Sequence, residues 1–409
     1  MRVQIVGDGP QLLAARKAWS TLHDAASCDN PFLQWEWVWH WWHDFRQVEG
    51  PQSRPHMVLF IDEDGTTRGA APFFLTTRRM GPAAWRTLRL MGSGGGLTEV
   101  RGFLVWPGWE AAVAAAFSAA LVQTRELYDR CMVDGLVPGT PLYACFEACA
   151  QRSGWTWGPV LTDRVVALPA TWEEFRGGLR RNIKESLRHC YNSLARDGHV
   201  WRFDTVADGP QLQPTLDCFF ELHAARARME RGPVHEDRFA MRRQRDFLRG
   251  VAEALAPRRG LVAGRLWVGE RVVAVRIALV SADSLYLYFS GYDPAWAPYA
   301  VATTVTAELV KMAISARLKH VHLSVGTDLS KTRWGGTEVK LCRLNIPAPT
   351  ARARLITTVE QAMRRTQRLL TTGKKSYAVR HRQEARCTTN GVRSRASSEV
   401  YTSYSIGPP

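Results

Sequence analysis

The sequence predicts an α/β fold of mixed, largely antiparallel sheets flanked by helices, built twice over. Three observations predict it. A hairpin runs out along Val58–Asp62, turns through Glu63-Asp64-Gly65 and returns along Arg68–Thr76. About 203 residues later the pattern recurs as Leu261–Val268, Gly269-Glu270 and Arg271–Val280, with Val58-Leu59-Phe60 over Leu261-Val262-Ala263 and Arg68-Gly69-Ala70-Ala71 over Arg271-Val272-Val273-Ala274. The second copy then continues as a strand over Leu285–Gly291, a helix over Tyr299–Arg317 and a strand over Val321–Val325 stopped by Gly326. That is the order of a mixed sheet with one crossover helix.

A chain of 409 residues with 45% hydrophobic, 22% charged and 10% aromatic content can bury two cores, which excludes collagen-like, disulfide-knot and wholly disordered classes. The expected divisions are a domain over 1–165, a second over 166–350, a basic amphipathic helix over 351–370 and a disordered basic tail over 371–409. MRVQIVGDGPQ has no apolar run after its charge, so no secretory signal is expected. The longest apolar stretch, Ala111–Val122, is too short to cross a bilayer, and a cytoplasmic protein follows. Eight cysteines without a CxxC pair point to reduced thiols.

From Pro31, with Asn30 as N-cap, PFLQWEWVWHWWHDF places Trp35, Val38, Trp39, Trp42 and Phe45 at helical spacing. Trp37 and Trp41 fall on a second face, so this helix is either sandwiched in a core or lines a cleft as a substrate platform. His40 and His43 lack a third ligand at metal spacing, and no metal is expected. The run Gly92-Ser93-Gly94-Gly95-Gly96 lacks the ending of a phosphate loop and reads as a turn at the cleft mouth. Trp172–Asp197 reads as one helix, with Thr171 as N-cap and Glu173-Glu174 in its first turn. Leu179, Ile183, Leu187 and Leu194 form its apolar stripe. Arg181, Lys184, Arg188 and Arg196 form the opposite face, either solvated or able to grip phosphates.

Net charge is +16, unevenly spread: −1 over residues 1–170, +8 over 171–350 and +9 over the last 59. The basic second half calls for an anionic partner: nucleic acid, a phosphorylated cofactor, a nucleotide-linked substrate, or the inner membrane leaflet touched peripherally by the tail.

The segments NPFLQWEWVWHWWHDF, GAAPFFLTTRR, LRLMGSGGGLTEVRGFLVWPG, LRRNIKESLRHCYNSLARDG, FFELHAARARMERG, LYFSGYDPAWAPYA and HLSVGTDLSKTRWG occur in the order seen in the CelD-like acetyltransferases. The chain resembles that tandem GNAT family from about residue 30 to 350. The family is similar in architecture to the FemAB-type aminoacyl-tRNA-dependent transferases. The resemblance implies tandem GNAT-like domains and transfer of an acyl group from acyl-CoA (acetyl-CoA) to an amine or hydroxyl of a saccharide or cell-envelope precursor. It also implies that pantetheine lies along a splayed strand edge and the pyrophosphate sits on the start of the crossover helix. Here those positions are Tyr292, Tyr299, Ala300, Val301 and Ala302. Where the family has Pro-Gly this chain has Tyr299-Ala300 after Pro298, and where it has Asp-Phe this chain has His322-Leu323. A family Tyr is replaced by Ser330, while Gly326, Lys331 and Trp334 match.

An attacking amine must shed a proton, so a carboxylate or imidazole is needed near the acyl carbon. Asp293, His322 and Asp328 are the candidates, each closing an element at one end of the sheet, with His320 on the same strand face as His322. Asp293 could equally cap the turn at Pro294. Lys331 and Arg333 are candidate anion contacts. His223 and Arg226, one helical turn apart, are candidates for the acceptor cleft together with Trp37, Trp41, Arg181, Lys184 and Trp334. Two other functions fit the same residues: aminoacyl-tRNA-dependent transfer, or a non-catalytic basic binding protein.

Overall fold

The computed structural model describes residues 1–80, 83–230 and 235–359. Residues 1–350 form one unit and 351–409 a second, of which 351–359 are described, as helix. The remainder of the expected terminal helix and the whole expected tail lie outside the described residues.

The strands are β1 (Arg2–Val6), β2 (Arg54–Ile61), β3 (Thr67–Met80), β4 (Ala83–Leu90), β5 (Leu104–Val105), β6 (Arg130–Leu136) and β7 (Thr156–Trp157), then β8 (Leu161–Ala167), β9 (Trp201–Val206), β10 (Leu261–Val268), β11 (Arg271–Ser281), β12 (Ser284–Tyr292), β13 (His320–His322) and β14 (Thr337–Pro347). The helices are α1 (Gly9–Ala14), α2 (Arg16–Ala25), α3 (Trp35–Phe45), α4 (Glu110–Gln123), α5 (Pro141–Ser153) and α6 (Trp172–Gly178), then α7 (Arg181–Arg196), α8 (Leu212–Ala227), α9 (Arg242–Leu255), α10 (Val301–Ser315) and α11 (Leu329–Thr332).

One sheet runs β1-β2-β3-β4-β6-β14-β8-β13-β12-β11-β10-β9. Read from its two edges the order is the same, because β2-β3-β4-α4-β6 and β10-β11-β12-α10-β13 are copies of one unit. Each has three antiparallel strands, a crossover helix, and a strand parallel to the third. The duplication is therefore real, but no single offset describes it. Both hairpins carry a bulge beside the turn, at Phe60/Ile61 and at Leu266/Trp267, and aligning these bulges needs a few residues more than 203. The turn shortens between copies, so the two strands of the hairpin shift differently.

The halves are tied by exchange. β8 follows the first copy yet pairs with β13 of the second, while β14 follows the second copy and pairs with β6 of the first. β14 also pairs with β8, closing the seam.

Helix α3 is sandwiched. Trp37 meets Phe247 of α9 at 5.0 Å between ring centroids and Trp41 meets Phe74 of β3 at 5.1 Å, both edge-on or tilted. Their indole N–H groups donate to Thr98 Oγ1 (2.9 Å) and Gly94 O (3.1 Å). Both side chains are fully buried, so they are core residues and not the substrate platform that was one expectation. Asn30 does cap, but it caps the 3₁₀ turn Pro31–Leu33, and α3 begins after Gln34. The glycine run packs as a turn against the end of α3: a Cβ on Gly95 would stand 2.6 Å from the Phe45 ring.

The single helix expected over Trp172–Asp197 is two. Thr171 and Glu174 form the reciprocal capping box, but Gly177-Gly178 ends the first helix and Leu179 and Arg180 are extended before α7 resumes. Likewise the helix expected from Tyr299 starts at Val301, after a 3₁₀ turn over Pro294–Tyr299 and a left-handed Ala300 (φ 51°). Among the described residues no helix is long and apolar enough to cross a membrane, and Ala111–Val122 lies within α4.

Candidate functional site

Strand β12 builds the site. It pairs with β11 along its length but with β13 only over Ser284–Tyr286. Opposite Ile277, β12 carries one extra residue at Tyr288-Phe289, and a bulge of this kind bends a strand away from its neighbour. From Leu287 onward β12 and the chain leaving β13 diverge.

Two cavities flank the opening. One, of about 90 Å³, lies against the first turn of α10, lined by Leu287, Leu323, Ala302, Thr303, Thr306 and Trp334. The other, of about 250 Å³, is on the opposite face, where Tyr288, Glu99, His223 and Asp328 line it. The faces follow from strand alternation: Leu287 packs in the core beneath α10, Tyr288 in the core beneath α3, α8 and α9. Arg226, Arg276, Ser290, Ser330 and Lys331 line both cavities.

The α10 side is strongly cationic. Arg333 donates to Thr303 Oγ1 (2.8 Å), Arg276 to Thr306 Oγ1 (3.2 Å) and Arg226 to Ser290 Oγ (2.8 Å). All three leave a buried Nε without a hydrogen-bond partner. Burial holds each guanidinium pKa below its usual value, and for Arg276, which the Arg226 charge also opposes, it falls to about 10. Lys331 gives its ammonium to the Val325 carbonyl, with Asp328 at 3.4 Å. Helix α10 starts without a side-chain cap, so its first N–H groups and the positive end of its dipole face the same space.

Across the opening, Glu99 Oε2 accepts from Tyr286 Oη (2.7 Å) and Ser324 Oγ (2.6 Å). Burial pushes its carboxyl pKa up, against the opposing pull of those two bonds. Ser324 itself is held in the left-handed region (φ 72°), a strained backbone that aims its hydroxyl at Glu99. His223 Nδ1 donates to Ser290 O (3.0 Å) while Nε2 accepts from the Arg238 N–H (3.3 Å), which fixes its tautomer; burial lowers its pKa.

Of the residues expected from the sequence, the structure brings together His223, Arg226, Ala302, Asp328, Lys331, Arg333 and Trp334. It does not bring Asp293 there. That carboxylate caps the 3₁₀ turn by accepting from Ala295 N (3.0 Å) and pairs with Arg271 (2.9 Å), which is the turn role. Tyr292 supports from the side, its ring 5.4 Å from the Arg226 guanidinium. Tyr299 is bound to Asp197 (3.1 Å), Val301 is buried, and Ala300 supplies the bend before the helix. Arg181 is 93% exposed and paired with Glu185, and Lys184 donates to Gly177 O (2.7 Å); neither lines the two cavities at the opening. His322, with His320, lines a third cavity.

Glu99, Arg276 and Ser324 were missed. A signal for one existed: Arg276 interrupts the apolar run VVAVRIALV, and a charge inside a buried strand calls for a partner. Among the described residues no group of three His, Cys, Asp or Glu could hold a metal.

Residues 180–332 match the acetyltransferase (GNAT) domain family, a span from α7 to α11 that holds most of the cationic cavity. No curated protein matches the chain. A conserved protein of unknown function from Bacteroides thetaiotaomicron superposes with a TM-score of 0.51 at 12% identity, over 84% of this chain and all (100%) of its own. FemX superposes at 0.52 with 10% identity, over 74% of this chain and 90% of its own. A tandem GNAT protein from the clavulanic acid biosynthesis pathway reaches 0.44 at 10% identity, over 86% of this chain and 100% of its own. Such identities speak to fold alone, and the fold is the expected mixed, mostly antiparallel sheet flanked by helices, its unit occurring twice.

Proposed function

We propose that the chain is a GNAT-type acyltransferase taking its acyl group from acyl-CoA and passing it through the β12–β13 opening to an amine or hydroxyl. The observation that carries this reading is the convergence on the uncapped start of α10 of three partly buried guanidiniums, each with an unpartnered Nε. Cations so placed repel one another, and a pyrophosphate would satisfy both the helix N–H groups and the arginines. The edge of β12 released from β13 offers N–H groups to the acyl oxygen as it becomes an oxyanion. Glu99, on the other face, takes the acceptor's proton as the new C–N or C–O bond forms; the C–S bond then breaks and the thiolate leaves toward α10. The acceptor that the family resemblance implies, a saccharide or envelope precursor, belongs to this reading.

Titration calorimetry with coenzyme A tests it. Arg333→Ala is expected to weaken binding about 10- to 100-fold, the range for a charge-assisted bond. Equal affinity for both proteins overturns the assignment. A second reading, aminoacyl-tRNA as donor, is favoured by the net +17 carried after residue 170. It requires aminoacylated tRNA to bind more tightly than coenzyme A, and to release steeply with salt.

A further inference from the structure

The largest of these cavities, about 440 Å³, lies beside the paired ends of β12 and β13 and is distinct from the two cavities that flank the opening. Its floor is the sheet at β8, β12, β13 and β14, and its roof is the chain around Cys28–Leu33 and Val100–Phe103. Leu33, Phe103, Leu136, Leu142, Val165 and Leu341 give it an apolar wall of the size that takes a small molecule. Asn30 and Arg101, the latter paired with Asp134 at 2.9 Å, also line it, and one further polar pole breaks the apolar wall. His322 is 9% exposed, lies against the Tyr286 ring (centroids 5.5 Å apart, 26° between planes) and gives Nδ1–H to Asp163 Oδ2 at 2.7 Å. Its Nε2 is buried without a hydrogen-bond partner, 3.6 Å from Oδ2 of Asp29, whose side chain is 58% exposed at the rim.

That separation is too long for a hydrogen bond between the two. It leaves a donor and an acceptor side by side, with Asp163 keeping the imidazole charged. An ammonium would satisfy Asp29 and repel the imidazolium; a carboxylate would do the reverse. A hydroxyl accepts from Nε2–H and donates to Asp29 through one oxygen, and two ordinary bonds of about 2.8 Å meeting at that atom span the gap.

We infer that this cavity is a binding site for an apolar alcohol, its hydroxyl held between His322 Nε2 and Asp29 Oδ2 and its hydrocarbon against Leu33, Phe103 and Leu136. The hydroxyl of Tyr286, whose ring backs His322, donates to Glu99, so an occupant would rest one side chain away from the acyl-transfer site.

The test is calorimetric titration of the full chain with 1-octanol, octylamine and octanoate, each below its aggregation limit. Octanol is expected to bind at least tenfold more tightly than the other two, and Asp29→Asn, at the exposed rim, is expected to remove that preference. Val137→Trp, which fills the cavity, is expected to abolish binding of all three. Coenzyme A affinity should be unchanged in both variants, which separates this site from the α10 assignment. Equal binding of the three probes, no binding, or a preference that survives Asp29→Asn overturns the inference.

Discussion

Removing the carboxylate beneath His322 gives a prediction whose size and sign follow from the structure. Burial by itself would lower the imidazole pKa; the Asp163 hydrogen bond and the charges of Asp163 and Asp29 outweigh it and raise the value from 6.5 to about 9. At about 1.4 kcal/mol per pH unit, that difference corresponds to about 3 kcal/mol of folded-state stabilisation of the charged form. Because the folded pKa lies above the unfolded one, the contribution is present in full below about pH 6.5 and is lost as pH rises through about 9. Asp163→Asn should therefore destabilise the protein by up to about 3 kcal/mol at pH 6, Asp29 keeping a share of the effect, and the penalty should shrink to about 1 kcal/mol above pH 9.5. The Cε1–H resonance of His322 reports the titration directly, and urea denaturation at the two pH values reports the energy. A wild-type His322 that titrates at or below 6.5, or an Asp163→Asn penalty that does not change with pH, would refute the reasoning.

Three further outcomes are expected. Glu99→Gln should lower kcat about 100- to 10,000-fold and flatten the acidic limb of the pH profile while leaving coenzyme A affinity unchanged, measured by steady-state kinetics across pH 5–9. Ala300→Gly relieves a left-handed alanine at the start of α10 and should raise stability by about 0.5–1 kcal/mol in thermal unfolding, the strain relieved exceeding the flexibility added to the unfolded chain. Gly291→Ala would set a Cβ 2.4 Å from the His223 backbone nitrogen, so it should push α8 off β12, cost about 1–3 kcal/mol and weaken coenzyme A binding by displacing Arg226.

Local pattern was legible and pairing across distance was not. The hairpins at Val58 and Leu261 and the crossover helix before β13 follow from periodicity and turn residues, which act within a few positions. The exchange of β8 and β14 between halves depends on partners distant in the chain, Ala167 with His320 and Leu136 with Cys342, and no local signal encodes it. The site divided in the same way. Arg226, Lys331 and Trp334 were found because they sit in recognisable stretches, but Glu99 gains its role only from Tyr286 and Ser324, which meet it through the fold. Trp37 and Trp41 misled because amphipathic spacing does not say whether a second apolar face meets a ligand or another helix. Here it meets α9.

The central claim is that the start of α10 and its arginines hold a pyrophosphate, and the most direct measurement is a crystal structure of the full chain grown with coenzyme A. The account predicts the diphosphate within hydrogen-bond distance of the Val301 and Ala302 N–H groups and of Arg333, with the thiol directed into the β12–β13 opening. A diphosphate bound elsewhere, or no coenzyme A at α10 at saturating concentration, would contradict it.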